Sequence, residues 1–370
     1  FELSDYLISR SLSWDPPRFE FPEAEGNVVF RSWDYILKFR ASFAECFGGT
    51  VKGLIPSRWY YAVPGGLNRE LLAAHNAKGQ DYFSLEENQA RFLTWQPTVK
   101  YSRSGILEKL FFLFQDNSMN TQFRMMIRVS FTDGFQKIIE GCPLTAIIPN
   151  SVVECKVGFD HLDLVNLWYG KTVASWQVYL LNQNNEYLSE TRVFKNDSRV
   201  FENEKAFYFR NSLSGYDTFR FLGKSDMSLD YDRLSAVVVR EEPVSFFNSP
   251  SKLFSAKETQ TCKANSGWVS REVKNYLREL LLSTEAYETI GKELFPIVIK
   301  TAKVASFLKD GEYLYNLEIE YERAYQDRFF SSHIPESSAN IILTPDSITW
   351  DEIDLSFDDM EVSFDQEYHL

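Results

Sequence analysis

The sequence predicts a mainly β protein: tandem β-sandwich domains of immunoglobulin or fibronectin III character, followed by a small α+β unit. Three observations carry this. Short runs of alternating apolar and polar residues recur along the chain, the period of a half-buried strand. Polar or glycine-bearing turns separate those runs, with no long helical pattern over residues 151–250. Aromatic content is 16%, with 31 Phe and 19 Tyr, and flat rings suit a pleated, half-buried surface. At 370 residues the chain is too long for one ordinary domain.

Residues 1–25 read as an extended N-terminal arm. Trp14, Asp15, Pro16 and Pro17 precede Phe19, Phe21 and Pro22, and proline excludes helix there. Residues 26–150 read as the first β-sandwich domain. Strand-like runs lie at 28–30 and 35–40, a turn at Gly48 and Gly49, and a break at Pro64, Gly65 and Gly66. A short helix is expected around 68–76. The largely apolar run over 107–114, unbroken from Leu110 to Phe114, predicts a strand buried on both faces. Over 124–140, Ile127, Val129 and Phe131 alternate with Arg128 and Ser130, and Asp133-Gly134 supplies a hairpin turn. A short strand over 144–148 follows.

Residues 151–250 read as the second sandwich domain. Strands over 173–181 and 187–194 flank a hairpin loop at Asn182, Gln183, Asn184 and Asn185, and Trp176 is a core residue at mid-strand. The stretch 206–223, AFYFRNSLSGYDTFRFLG, predicts two strands around a polar turn. Phe207 and Phe209 share one face, Phe219 and Phe221 share a face of the return strand, and Gly215 is the expected positive-φ position. Arg210, Asp217 and Arg220 around the turn are read as turn and strand-edge residues. Another strand is expected over 234–240. Residues 251–265 are polar and irregular, which predicts a linker.

Residues 266–330 form the α+β unit. Val269, Val273, Tyr276 or Leu277, Leu280 and Leu281 fall at helical spacing, predicting one amphipathic helix ending near Ser283. A strand over 297–299 and a hairpin turning at Asp310-Gly311 follow. On the return strand Tyr313, Tyr315, Leu317, Ile319 and Tyr321 share one face, against Asn316, Glu318, Glu320 and Glu322. Residues 331–370 are an acidic C-terminal tail.

The formal net charge is −13. Eight of the acidic groups lie in 351–370, which has no Lys or Arg, so the other 350 residues carry about −5. This balance disfavours nucleic-acid backbones and anionic membrane surfaces as partners. No apolar run approaches the roughly 20 residues that span a bilayer, so membrane insertion is not expected. The chain begins at Phe1 without a basic leader, so no signal peptide is expected. Cys46, Cys142, Cys155 and Cys262 lack metal spacing and read as free thiols, with a Cys142–Cys155 bridge left open.

Catalytic, cofactor and metal motifs are not found, and an enzyme is not expected. His75, His161, His333 and His369 have no neighbour at triad or ligand spacing, and no GxSxG, P-loop, GxGxxG or HExxH occurs. The acidic pairs near 351–359 lack the glycine and spacing of a calcium loop. Two aromatic clusters, one with Trp59 and Tyr61 and one with Trp168, have the residue types that stack on sugar rings. They define the ligand site of an alternative reading, a surface glycan-binding or adhesin-like protein at the bacterial cell surface.

Three segments together carry a resemblance: Phe131-Thr-Asp-Gly134, Lys171-Thr-Val-Ala-Ser-Trp-Gln-Val178 and Phe209-Arg-Asn-Ser-Leu-Ser-Gly-Tyr-Asp-Thr-Phe-Arg-Phe-Leu-Gly223. In order and spacing they resemble uncharacterised tail-associated structural proteins of phages and prophages of Bacteroidetes-type bacteria. There an "RNSLGG(F/W)DT" block crosses between strands of a sandwich. The helix ending in Leu-Leu-Leu-Ser283, then Phe295-Pro-Ile-Val-Ile299 and Tyr313-Leu-Tyr-Asn-Leu-Glu-Ile-Glu320, are similar too. The likeness covers about 95–325 with gaps, and Ser214 stands where the block has Gly. It implies a non-enzymatic component of a tail or tail-tip assembly, in a virion or phage-like particle made in the bacterial cytoplasm. Partners would be further copies and other tail proteins. No functional residue is carried over.

Overall fold

The computed structural model describes residues 29–32, 37–62, 65–66, 70, 73, 90–114, 122–141, 144–145, 151–167, 170–237, 251–291, 293–309 and 312–324. Two compact units divide at Gln326, and all described residues belong to the first. The protein is mainly β. In chain order the elements begin with β1 (Val29–Ser32), β2 (Leu37–Phe39), β3 (Ser42–Phe47), β4 (Thr50–Pro56), β5 (Tyr60–Ala62), β6 (Val99–Ser102) and β7 (Lys109–Phe114). Then come β8 (Gln122–Phe131), β9 (Gln136–Glu140), β10 (Leu144–Thr145), β11 (Ser151–Lys156), β12 (Val173–Asn182) and β13 (Arg192–Asn196). The last are β14 (Lys205–Arg210), β15 (Tyr216–Phe221), β16 (Ser225–Val237), β17 (Ser251–Val269), α1 (Arg271–Tyr276), α2 (Arg278–Leu282), β18 (Ala286–Ile290), β19 (Glu293–Lys309) and β20 (Glu312–Arg323).

A three-stranded antiparallel sheet, β1-β11-β7, lies at the centre. As the unbroken apolar run predicts, both faces of β7 are covered: Leu110, Phe112 and Phe114 enter one core, and Phe111 enters another. In β11, Val153 and Cys155 join the first core and Val152 the second. Lys109 and Glu154, also buried here, pair at 2.7 Å, which removes the cost of leaving either charge alone.

The first core is shared with a six-stranded sheet, β10-β8-β12-β13-β6, in which β9 also pairs with β8. The 124–140 hairpin forms as expected, with Gly134 at φ 84° in its turn. In β8, Phe123, Met125, Ile127, Val129 and Phe131 are buried while the residues between them are partly exposed. Trp176 is fully buried, stacks on Phe194 at 5.4 Å and donates its indole N–H to Val157 O at 2.9 Å. Cys155 is a free, buried thiol, and burial pushes its pKa up. Four strand pairs cross residue 150: β1 with β11, β7 with β11, β8 with β12 and β6 with β13.

The third sheet has seven antiparallel strands, β15-β14-β18-β19-β20-β17-β16. Its inner face buries Phe207, Phe209, Phe221, Leu317, Ile319 and Tyr321 beneath Tyr276, Leu277 and Leu280 of the helical segment. Ser270 caps α1 by accepting from Val273 N. The outer face of β14-β15 meets the central sheet through Tyr208 and Tyr216. The sheet coils far enough that Gly223 N donates to Asn265 O at 2.9 Å, bringing the end of β15 onto β17.

Three expectations need correction. Residues 251–265 are not a linker; they belong to β17, which pairs with β16 and β20. The strand expected over 234–240 is the end of β16, which starts at Ser225. In the 206–223 turn, the left-handed residue is Ser214 at φ 72°, not Gly215. Glycine at 215 answers a different need: a Cβ there would lie 2.5 Å from the Leu93 carbonyl oxygen. The helix expected around 68–76 and residues 1–25 and 331–370 lie mostly or wholly outside the described residues.

Candidate functional site

Asp217 and Arg220 sit on β15, an edge strand of their own sheet, yet both are buried by neighbouring segments. Asp217 accepts from Thr94 Oγ1 at 2.8 Å and from Gln96 Nε2 at 2.7 Å. Burial pushes its pKa up to about 6, against the pull of these hydrogen bonds and of Lys100. Lys100 binds Glu108 at 2.6 Å and the Thr218 carbonyl. Burial raises the Glu108 carboxyl as well, with Lys100 opposing. Further along, Arg220 bridges Glu204 and Asp197, and Arg103 reaches Glu204 at 2.8 Å. Hydrogen bonding from Arg199 holds Asp197 below the usual carboxylate range.

A carboxyl with raised pKa in a cleft is a candidate acid or base. Reaction also requires access, and Asp217 and Glu108 are each 1% exposed. A cavity of about 400 Å³ lies beside Arg103, Asp160, Glu204 and Thr289, so it meets the network at Arg103 and Glu204, away from Asp217 and Glu108. Glu204 is already held by two guanidinium groups there, and Asp160 accepts from Ser104 Oγ and Gly105 N. The network is therefore read as a polar seam that pins β15 to residues 94–108. Sequence reasoning missed its depth, although Asp217 shares the period-two face of Phe219 and Phe221.

Trp59 and Tyr61 are brought together at the surface, 49% and 44% exposed. Lys38 Nζ lies 4.8 Å from the Trp59 ring and 5.6 Å from the Tyr61 ring, and the Arg40 guanidinium lies 5.0 Å from Trp59. The patch is thus a pair of rings decorated with cations. Trp168 lies outside the described residues. Among the described residues no group of three or more His, Cys, Asp or Glu is placed to hold a metal ion, and no helix is long and apolar enough to cross a membrane.

The remaining unusual surface is open strand. In the β3-β4 ribbon, Phe43 faces Ile55 across the pair, 64% and 70% exposed, with Leu54 at 69%. In the β16-β17 ribbon, residues 251–260 pair, among the described residues, with β16 alone, because β17 meets β20 from Thr261 onward. Met227, Leu229, Tyr231, Leu234 and Phe254 are all exposed on it. Such ribbons present apolar side chains and unpaired backbone groups together, the combination that invites another strand. No protein-family model and no curated protein matches the chain.

Proposed function

We propose that the chain is a non-enzymatic structural component of a phage or phage-like tail or tail-tip assembly. The observation that carries this reading is the contrast between interior and surface. Three cores are filled by aromatic and aliphatic side chains, while two ribbons leave large apolar residues in water. A protein built to assemble carries its unspent apolar surface on extended elements that a neighbour can cover. The resemblance of the 131–134, 171–178 and 209–223 segments to tail-associated proteins supports the same reading. Within it, the six-stranded and three-stranded sheets form a β-sandwich of immunoglobulin-like character, and residues 266–330 contribute an α+β unit. Its place is a virion or phage-like particle, with further copies and other tail proteins as partners. Co-expression with neighbouring gene products, followed by negative-stain microscopy, tests it. Ordered particles containing the chain are expected; a strict monomer that joins no particle would end the reading.

A second reading, a surface glycan-binding or adhesin-like protein, is favoured by the exposure of Trp59 and Tyr61. Trp59→Ala should then abolish retention on carbohydrate while leaving the unfolding midpoint unchanged. If the intact protein is retained on no glycan, the idea fails.

A further inference from the structure

We infer that the chain self-associates head to tail, with the open edge of β16 in one copy pairing with the open edge of β19 in the next. This deepens the assembly reading and rests on it. Two long edges are available. β16 is hydrogen-bonded to β17 on one side along Ser225–Val237, and no described strand pairs with its other side. β19 pairs with β18 only from Glu293 to Ile297, so residues 298–309 have β20 on one side and no described strand on the other. Each open edge is 12 or 13 residues long, about 40 Å at strand rise.

The two edges match in charge and in pattern. β16 carries Asp226, Asp230 and Asp232 against Arg233, whereas 298–309 carries Lys300, Lys303 and Lys309 and no acidic residue. Within the chain, Lys300 is drawn to Glu322 at 2.9 Å, and Asp226 and Asp232 face Lys263 and Lys257 across the β16-β17 pair. Asp230, facing Thr259, is the least compensated acid, and Lys303, opposite Glu318 of β20, lies on the basic edge. Sidedness agrees as well. Met227, Leu229 and Tyr231 share the face of buried Cys262, the helix-covered side of the sheet. Ala302 and Val304, paired with buried Ile319 and Leu317, stand on that same side. Asp230 and Lys303 both occupy the opposite face. A continuous sheet therefore sets apolar residues beside apolar ones and aspartate beside lysine.

Direction follows from the strand order. β19, β20, β17 and β16 alternate in direction, so a neighbour in the same orientation presents its β19 antiparallel to β16. The β16 and β19 patches differ, so the contact is heterologous and repeats as a ring or a filament.

The test uses the full chain. Light-scattering mass is measured for the wild type, for Asp230→Lys/Asp232→Lys, for Lys303→Glu/Lys309→Glu, and for the two variants mixed. The wild type should assemble, each variant alone should fall to monomer mass, and the mixture should recover the wild-type mass, because reversed β16 meets reversed β19. Hydrogen exchange on the wild type keeps the result independent of variant folding: amides of 225–237 and 298–309 should gain protection as concentration rises. An assembled wild type whose two edges gain no protection overturns edge pairing and leaves the assembly reading standing. Variants that keep the wild-type mass, or a mixture that stays monomeric, overturn it too. A wild type that is monomeric alone but enters particles with neighbouring gene products also separates the two claims, ending only the first.

Discussion

The turn at 211–215 shows how adjacent residues answer different demands. Ser214 is fully buried with φ 72°, a conformation that favours glycine, while Gly215 needs the absence of a side chain because Leu93 O and Asn211 Nδ2 lie 2.5 and 3.0 Å from where a Cβ would be. Gly215→Ala is therefore expected to lower stability by about 1–3 kcal/mol through overpacking, read as a fall in the urea midpoint. Ser214→Gly is expected to stay within about 1 kcal/mol of the wild type. Equal losses from both would refute the assignment. Sequence alone marked a turn here but put the strain one residue late, because the constraint comes from Leu93, about 120 positions away.

Asp217 makes a pH prediction at the same scale. Its folded pKa of about 6 lies above the ordinary 3.8, so its contribution to stability is complete below the unfolded value and is lost as pH rises through about 6. The loss amounts to about 3 kcal/mol at most for a shift of this size. Urea midpoints measured from pH 5 to 7 should fall with rising pH in the wild type, and Asp217→Asn should flatten that slope. An unchanged slope in the variant would assign the dependence to another group.

Elements differ in how plainly the sequence announces them. The run over 107–114 was readable as a doubly buried strand because no polar residue interrupts Leu110–Phe114. β8 was readable because its alternation is regular. β17 was not, because a ribbon half in water needs no apolar face, and Lys257, Glu258, Thr259 and Gln260 give no period to detect. The exposed aromatic pair at 59 and 61 was legible as residue types, but the cations beside it come from β2 and the residues just after it. Doubly covered and singly covered strands should also respond differently to mutation. On β11, Val152→Ala and Val153→Ala should each cost about 1–3 kcal/mol, since each fills a separate core. On β8, Ile127→Ala should cost about 2–5 kcal/mol and Arg128→Ala within about 0.5 kcal/mol. Alternating costs along β11 would contradict a sheet covered on both sides.

At the scale of the whole molecule, the central sheet is pressed between a six-stranded sheet and a coiled seven-stranded sheet backed by helix. Charges that the sequence left scattered, from Lys100 to Arg220, are gathered into ion pairs along the seam between segments. Among the described residues, large exposed apolar side chains lie along β3-β4 and β16, and the far half of β19 has no described strand on its outer side. In the proposed assembly, neighbours would cover that surface. Light-scattering mass of the intact 43.1 kDa chain across a range of concentrations tests this most directly. The account predicts a mass several times that of one chain, growing with concentration. A mass of one chain at every concentration, with no uptake into particles beside its neighbouring gene products, would contradict it.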